Sequence, residues 1–439
     1  CGETYILYPY GENVKIENVL FSGFINLKVN GVQNTTFAMP SDTCYIVDHL
    51  IVNNTLYSQN NLISYETFNS NEFKTQVLKW VFKEKEIKNL NGLLYTIIDN
   101  SYIMITGYNG TDSLLEIPSR IDGLRVVGIE DLAFAHNKTI RKLIIPEDLL
   151  TLGSSVCTGC SNLESLVIGN TKHIKNIILL YYIFGAREYN NSYRVSGQTM
   201  HGGTFYAPNS LKELEINSNT VDDRTFYLEG LTSLEKLTVK GNIINSPVCA
   251  KCNNLKEVIL LDNVQNISAQ SFLNCDGLTD VSLSENVKTI RCEAFWACNK
   301  LSNINLPDSI IEIENAVFFN CKELKNITIP KNITIISDNL FQNCFNLKNI
   351  TMPDSITRIG RSAFNNCRKL VLSKLPDSLT TIGDDAFYVC EKLENLIIPN
   401  SVSTIGSLAF ASCSNLKSIT LPKGLKEIPY AAFNCCTKL

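Results

Sequence analysis

A single period constrains this chain more than anything else in it. Nine leucines (Leu255, Leu278, Leu301, Leu324, Leu347, Leu370, Leu393, Leu416 and Leu439) stand 23 residues apart. Three residues before each is a cysteine, from Cys252 and Cys275 through to Cys413 and Cys436. Three before that, from the second copy on, is a phenylalanine: Phe272, Phe295, Phe318, Phe341, Phe364, Phe387, Phe410 and Phe433. One unit of this length cannot bury its own apolar face, so the units must stack into a continuous core. That also explains how 439 residues can form one array without exceeding the size of an ordinary core.

Each unit alternates as a strand does. In Leu324-Lys-Asn-Ile-Thr-Ile329, Leu324, Ile327 and Ile329 read as inward, and Lys325, Asn326 and Thr328 as outward. Pro330 lacks an N–H and closes the strand. Ile333, Ile336, Leu340 and Phe341 then carry the chain around the back. The fold class is a leucine-rich-repeat solenoid, mainly β. It has a parallel sheet on a concave side and short turns or 3-10 helices on the convex side.

Residues 1–90 do not repeat, and they read as a small α+β region that caps the array. Cys1 to Tyr57 reads as short strands. Asn71 to Lys88 reads as a helix, because Phe73, Val77, Trp80 and Val81 form a stripe opposite lysines and glutamates. Two strands, Tyr95–Asp99 and Tyr102–Gly107, are joined by a polar turn. The array then occupies 91–439. Its first units are irregular: Asn137 stands in the cysteine position, and Cys157 in the phenylalanine position. Leu163 to Leu211 spans two repeats plus two residues, so 171–204 reads as an insertion replacing most of one repeat, a surface loop with one docked strand. The beginning at Cys1 and the end at Leu439 read as cuts in a longer polypeptide, without a C-terminal cap.

Composition excludes several classes. Net charge is -4, so no basic excess points to nucleic acid. No apolar run reaches membrane-spanning length. Of the 16 cysteines, nine recur at one inward position, where sulfurs lie side by side rather than facing, so they read as a reduced packing ladder. Cys1 and Cys44 could pair with each other. Two Cys-x-x-Cys stretches, Cys157–Cys160 and Cys249–Cys252, raise zinc or redox chemistry. Both fall in phase with the repeat, which favours packing. Four histidines are scattered, and no metalloprotease, phosphate-binding or nucleophile-elbow motif is present. The expectation is no enzyme, no cofactor and no metal. Nine Asn-x-Ser/Thr sequons occur, among them Asn326 and Asn349 on the expected concave sheet.

Binding residues are sought where the period fails or faces outward. Aromatic side chains in the insertion, Tyr181, Tyr182, Phe184, Tyr189 and Tyr193, offer contact area at low entropic cost. Outward positions of the early units are charged: Lys212, Glu213, Glu215, Lys236, Lys256 and Glu257, with Arg141, Lys142, Glu164 and Glu235. Outward positions of the late units are small and neutral: Ser302, Asn303, Asn305, Asn326, Thr328, Asn349, Thr351, Ser418 and Thr420.

Blocks such as Ile382-Gly-Asp-Asp-Ala-Phe387-Tyr-Val-Cys390-Glu-Lys-Leu393, followed by Ile397-Ile-Pro399, resemble the BspA-type leucine-rich repeat over residues 94–439. Departures are Cys157, Cys249 and Leu228 at the phenylalanine position, and Ser373 at a strand isoleucine. The resemblance implies a surface protein of host-associated bacteria or parasitic protists, often an adhesin for host matrix proteins or other cells. The expected function is therefore extracellular recognition of a protein or glycan, such as a host matrix component or cell-surface receptor. The alternatives are an intracellular scaffold and the recognition part of a larger enzyme.

Overall fold

The structure, a computed structural model, describes residues 86–169, 184, 208–217, 231–241, 249–261 and 264–439 in full. Within 4–84 and 186–205 it describes the backbone of the strands named below. The chain divides into two compact units, Cys1–Asn109 and Gly110–Leu439.

The first unit is β wherever its backbone is described. Strands Thr4–Leu7, Val77–Glu84, Tyr45–Val52 and Thr55–Ser58 form one antiparallel sheet in that order. Val14–Lys15, Phe24–Val29 and Val32–Ala38 form another. The helix expected over Asn71–Lys88 is thus a strand over Val77–Glu84, seated between Thr4–Leu7 and Tyr45–Val52. Residues 71–76 lie outside the described residues. Val77, Trp80, Val81 and Phe82 are β-branched or aromatic and favour a pleated surface. Pairing on both edges satisfies backbone groups that a short isolated helix would leave exposed. Cys1 and Cys44 also lie outside the described residues. The turn predicted at Asn100-Ser101 is present: Leu93–Ile98 pairs antiparallel with Tyr102–Tyr108. Asp99 and Asn100 take the left-handed φ of 50° and 51° that a tight hairpin needs.

The second unit is a mainly-β parallel solenoid of about 11 turns. Its long row of strands runs in register through Leu114–Glu116, Lys142–Ile145, Ser165–Ile168, Glu213–Asn217, Lys236–Lys240, Glu257–Leu260 and Asp280–Leu283. It continues as the pairs Asn326–Thr328 with Asn349–Thr351 and Asn395–Ile397 with Ser418–Thr420. The inward triad holds: Leu324 is 0%, Ile327 4% and Ile329 3% exposed. A second row of two-residue strands, such as Arg358–Ile359, Thr381–Ile382 and Thr404–Ile405, follows each coil. Where Ser373 replaces an inward isoleucine, no strand forms, and only an isolated bridge joins Lys374 to Ile397.

The turns between these rows explain the phenylalanine and cysteine. Every second N–H in the turn donates to the next coil, as from Phe295 to the Val317 carbonyl at 3.0 Å. The intervening ones close back three residues, as from Cys298 to the Phe295 carbonyl at 3.2 Å. The phenylalanine rings stack face to face from Phe272 to Phe433, with centroids 5.2–5.8 Å apart and planes within 14°. From Cys298 on, each ladder cysteine thiol donates to the phenylalanine carbonyl of the preceding coil, as from Cys344 to Phe318 at 3.1 Å and Cys367 to Phe341 at 3.1 Å. The cysteine is therefore a small buried donor as well as filling, and this hydrogen bond ties coil to coil.

The insertion is built differently from the expected loop. Ser165 pairs directly with Glu213, so the 48 residues from Leu163 to Leu211 make one step of the ladder, not two. The surplus chain forms its own antiparallel hairpin, Ala186–Val195 with Gln198–Phe205, and among the described residues no strand of it pairs with the ladder. Its sequence, from Arg187-Glu-Tyr-Asn-Asn-Ser to His201-Gly-Gly, lacks the apolar triad that would hold a coil. Backbone bonds within the hairpin make such a coil unnecessary.

Candidate functional site

The outward rows of the long sheet place most of the expected contact residues. Along one row the sign alternates coil by coil: Arg141, Glu164, Lys212, Glu235, Lys256. Successive members are adjacent, since the N–H of Lys212 donates to the Glu164 carbonyl, that of Glu235 to Lys212, and that of Lys256 to Glu235, each at 2.8 Å. The next row reads Glu213, Lys236, Glu257. The side chains pair across coils: Arg141 with Glu164 at 2.9 Å, Lys256 with Glu235 at 2.6 Å, Lys236 with Glu257 at 2.8 Å and Lys240 with Glu215 at 2.5 Å. The Lys256 ammonium holds the Glu235 carboxyl below the usual carboxylate range.

These charges therefore serve one another first. Alternation along an in-register parallel ladder puts opposite signs side by side and like signs two coils apart, which matches each coil to its true neighbour. Lys256→Glu, which sets two carboxylates beside each other at Glu235, is expected to lower the melting temperature in low salt. In molar salt, where exposed charges are screened, the loss should largely vanish. Thermal unfolding at the two salt concentrations checks this.

The late coils differ. Asn326, Thr328, Asn349 and Thr351 are exposed, and the Asn349 side-chain amide donates to Asn326 Oδ1 at 2.7 Å. Ser418 donates to Asn395 Oδ1 at 2.8 Å. Two sequon asparagines thus form a rung-to-rung amide ladder on the outward face.

Of the aromatic candidates, Phe184 is 0% exposed and belongs to the core. It is the base of the insertion rather than a contact surface, because its carbonyl accepts the Thr158 hydroxyl at 3.0 Å and its ring is fully covered. Tyr181 and Tyr182 lie outside the described residues. Tyr189 and Tyr193 fall on the strand Ala186–Val195, with their side chains outside what is described.

The thiols are the other chemical candidates. Both Cys-x-x-Cys pairs are buried, with Cys157 and Cys249 at 0% and Cys160 at 1% exposed. Among the described residues no group of three or more His, Cys, Asp or Glu is placed to hold a metal ion. Burial pushes Cys321 up to about 12 and Cys298, Cys344 and Cys390 well above the ordinary thiol range. Cys292, which donates to Glu314 at 2.9 Å, is pushed up to about 11, chiefly by burial. Cys435 is exposed, and Cys436 is lowered to about 7 by its hydrogen bond from Cys413.

A thiol pKa raised in the folded state stabilises it fully below the unfolded value of about 8.5. That contribution is lost as pH rises from there through the folded value of about 12 for Cys321. The unit is thus expected to weaken steeply above about pH 9, with several ladder thiols acting together. Urea unfolding from neutral to alkaline pH should show it. Iodoacetamide on the native protein should label Cys435 and Cys436 and spare the ladder.

An in-register parallel sheet, one inward triad per coil and a stacked turn define a leucine-rich-repeat solenoid, a fold of interaction modules. The BspA-type leucine-rich-repeat profile matches residues 127–245, 242–371 and 334–439. The chain belongs to this family. Among solved structures it is similar to a leucine-rich repeat protein from Bacteroides ovatus at 22% identity, covering 77% of this chain and 95% of that one, with a TM-score of 0.37. It is also similar to a leucine-rich repeat protein from Eubacterium ventriosum, at 18% identity, 79% and 93% coverage and a TM-score of 0.38. A third is a leucine-rich cell surface protein from Faecalibacterium prausnitzii, at 19% identity, 77% and 95% coverage and a TM-score of 0.28. No curated protein matches the chain. Among the described residues no helix is long and apolar enough to cross a membrane.

Proposed function

We propose that this protein is a non-catalytic recognition module displayed at a cell surface, which holds a protein or glycan partner and mediates adhesion to host or neighbouring cells. The observation that carries this reading is the hairpin Ala186–Phe205, which leaves the ladder between two strands that pair directly while keeping its own hydrogen bonds. A scaffold that only had to stack would gain nothing from it. Loops that interrupt a rigid frame are where binding concentrates, and Tyr189 and Tyr193 lie on this one. Lys212, Glu213, Glu215, Lys236, Lys256 and Glu257 form the sheet surface nearest to it in sequence. Their pairing with one another makes them a framed, near-neutral floor rather than a charged trap.

The test is a binding screen of the whole chain against matrix proteins and glycans, beside a variant in which residues 186–205 are replaced by a short glycine-serine link. Loss of binding with unchanged unfolding supports the reading. Binding that persists at full strength sinks the role of the hairpin. The free ladder thiols favour a second reading, an intracellular scaffold. That reading predicts that native protein carries no glycan and that every cysteine in it is reduced, which intact-mass measurement decides.

A further inference from the structure

We infer that Cys157 and Cys160 are a dithiol that closes to a disulfide, and that the ring clamps the seat of the hairpin. In each regular coil the residue three before the cysteine is phenylalanine, so no second sulfur is near within the turn. At Cys157 the ring is replaced by a thiol. The turn Cys157-Thr158-Gly159-Cys160 is closed by the Cys160 N–H on the Cys157 carbonyl at 3.2 Å, with Gly159 at a φ of +70°. Four-residue turns of this kind hold their end Cα atoms within about 7 Å, and disulfides span roughly 4.4–6.8 Å. Both side chains are buried, and the Cys160 thiol donates to the Phe134 carbonyl at 2.9 Å. Stack cysteines such as Cys321 and Cys344, by contrast, stand one to a coil, with no second sulfur in their own turn.

The turn is tied to the insertion. Thr158, inside the ring, donates its hydroxyl to the Phe184 carbonyl at 3.0 Å, two residues before the hairpin strand begins at Ala186. The His136 imidazole lies against Gly159, since a Cβ added there would stand 2.4 Å from its Nδ1. Closing the ring fixes the backbone that carries Thr158 and so stiffens the anchor of the hairpin.

The chemistry needs an oxidant, and a low-molecular-weight disulfide such as glutathione disulfide supplies it. Cys160 attacks as its thiolate. Its proton goes to solvent, its sulfur bonds to one glutathione sulfur, and a glutathione thiolate leaves. Cys157 then gives its proton to solvent and attacks the Cys160 sulfur, and the second glutathione thiolate leaves. Two protein thiols become one disulfide, and one glutathione disulfide becomes two glutathiones. Because both sulfurs are buried, the exchange belongs to folding or to local opening of the coil.

Ring closure is independent of the proposed binding role. Only the value of a stiff hairpin rests on that reading, so the test uses no ligand. The whole chain is refolded over a range of glutathione disulfide to glutathione ratios, denatured, alkylated and mapped by mass spectrometry. The expected result is a peptide carrying Cys157 and Cys160 that has lost two hydrogens, while Cys298, Cys321 and Cys344 are fully alkylated. Proteolysis within 186–205 should slow about threefold on oxidation, through rarer local opening. It should not change with redox state in Cys157→Phe, which restores the regular turn and guards against a folding failure in Cys157→Ser. Full alkylation of both cysteines at every ratio in correctly folded protein overturns the inference. So does a closed ring that leaves hairpin proteolysis unchanged.

Discussion

Phe341→Ala is expected to lower the stability of the solenoid by about 4 kcal/mol and to split its unfolding into two steps. Phe341 is 0% exposed, and both faces of its ring are occupied, by Phe318 at 5.6 Å and Phe364 at 5.5 Å between centroids. Backbone bonds on either side hold those neighbours, so the gap cannot collapse without breaking rungs. A solenoid is stabilised by each coil and by each interface between coils. Removing one ring weakens two interfaces, which uncouples the coils before it from those after. Urea unfolding followed by Trp296 fluorescence in a Trp80→Phe background, which reports a coil before the gap, should separate from circular dichroism of the whole. Coincident transitions shifted by less than about 1 kcal/mol would contradict this.

Gly406→Ala should cost about 3 kcal/mol, for a different reason. An added Cβ would stand 2.3 Å from the Asp384 backbone nitrogen and 2.4 Å from the Gly383 carbonyl carbon. This glycine stands where one coil's backbone closely approaches that of the coil before it, at the end of the second strand row. Its N–H donates to the Ile382 carbonyl at 2.8 Å, so the coil cannot retreat without losing that bond. Gly424 is the internal control: an added Cβ there meets nothing within 4 Å, so Gly424→Ala should be neutral or slightly stabilising. Denaturant midpoints of the two variants, measured side by side, decide whether close approach or chain flexibility is what these glycines provide.

The repeat was legible because its signal is one-dimensional. Leu324, Ile327 and Ile329 read as inward from alternation alone, and they are buried. The phenylalanine and cysteine positions read as core, and they are. What the cysteines do there was not legible. A thiol hydrogen bond to the carbonyl of the preceding coil joins residues 26 apart, and only the stacking geometry brings them together. The pairing of the charged row was not legible either. Taken one coil at a time, Arg141, Glu164, Lys212, Glu235 and Lys256 are outward charges available to a partner. In register they form a ladder of alternating sign whose members pair. The clue was present as alternation between units, a period of two coils.

The insertion shows the limit most sharply. A gap of 48 residues is just over two repeats, so spacing alone could not distinguish a degenerate coil from a looped-out hairpin. The direct pairing of Ser165 with Glu213 decides it. Val77–Glu84 is the same kind of case: its apolar stripe fits a helix, but partners on both edges make it a strand.

The sequence by itself determined that this chain is a stack of coils, how long each coil is and which side chains enter the core. Those properties follow from burial, which a local pattern encodes residue by residue. Tertiary structure decided how many coils the irregular stretch contains, which charges neutralise each other, and that the Thr158 hydroxyl meets the Phe184 carbonyl at the base of the insertion. Those depend on which distant segments become neighbours, and hydrogen bonds and ion pairs act only at contact.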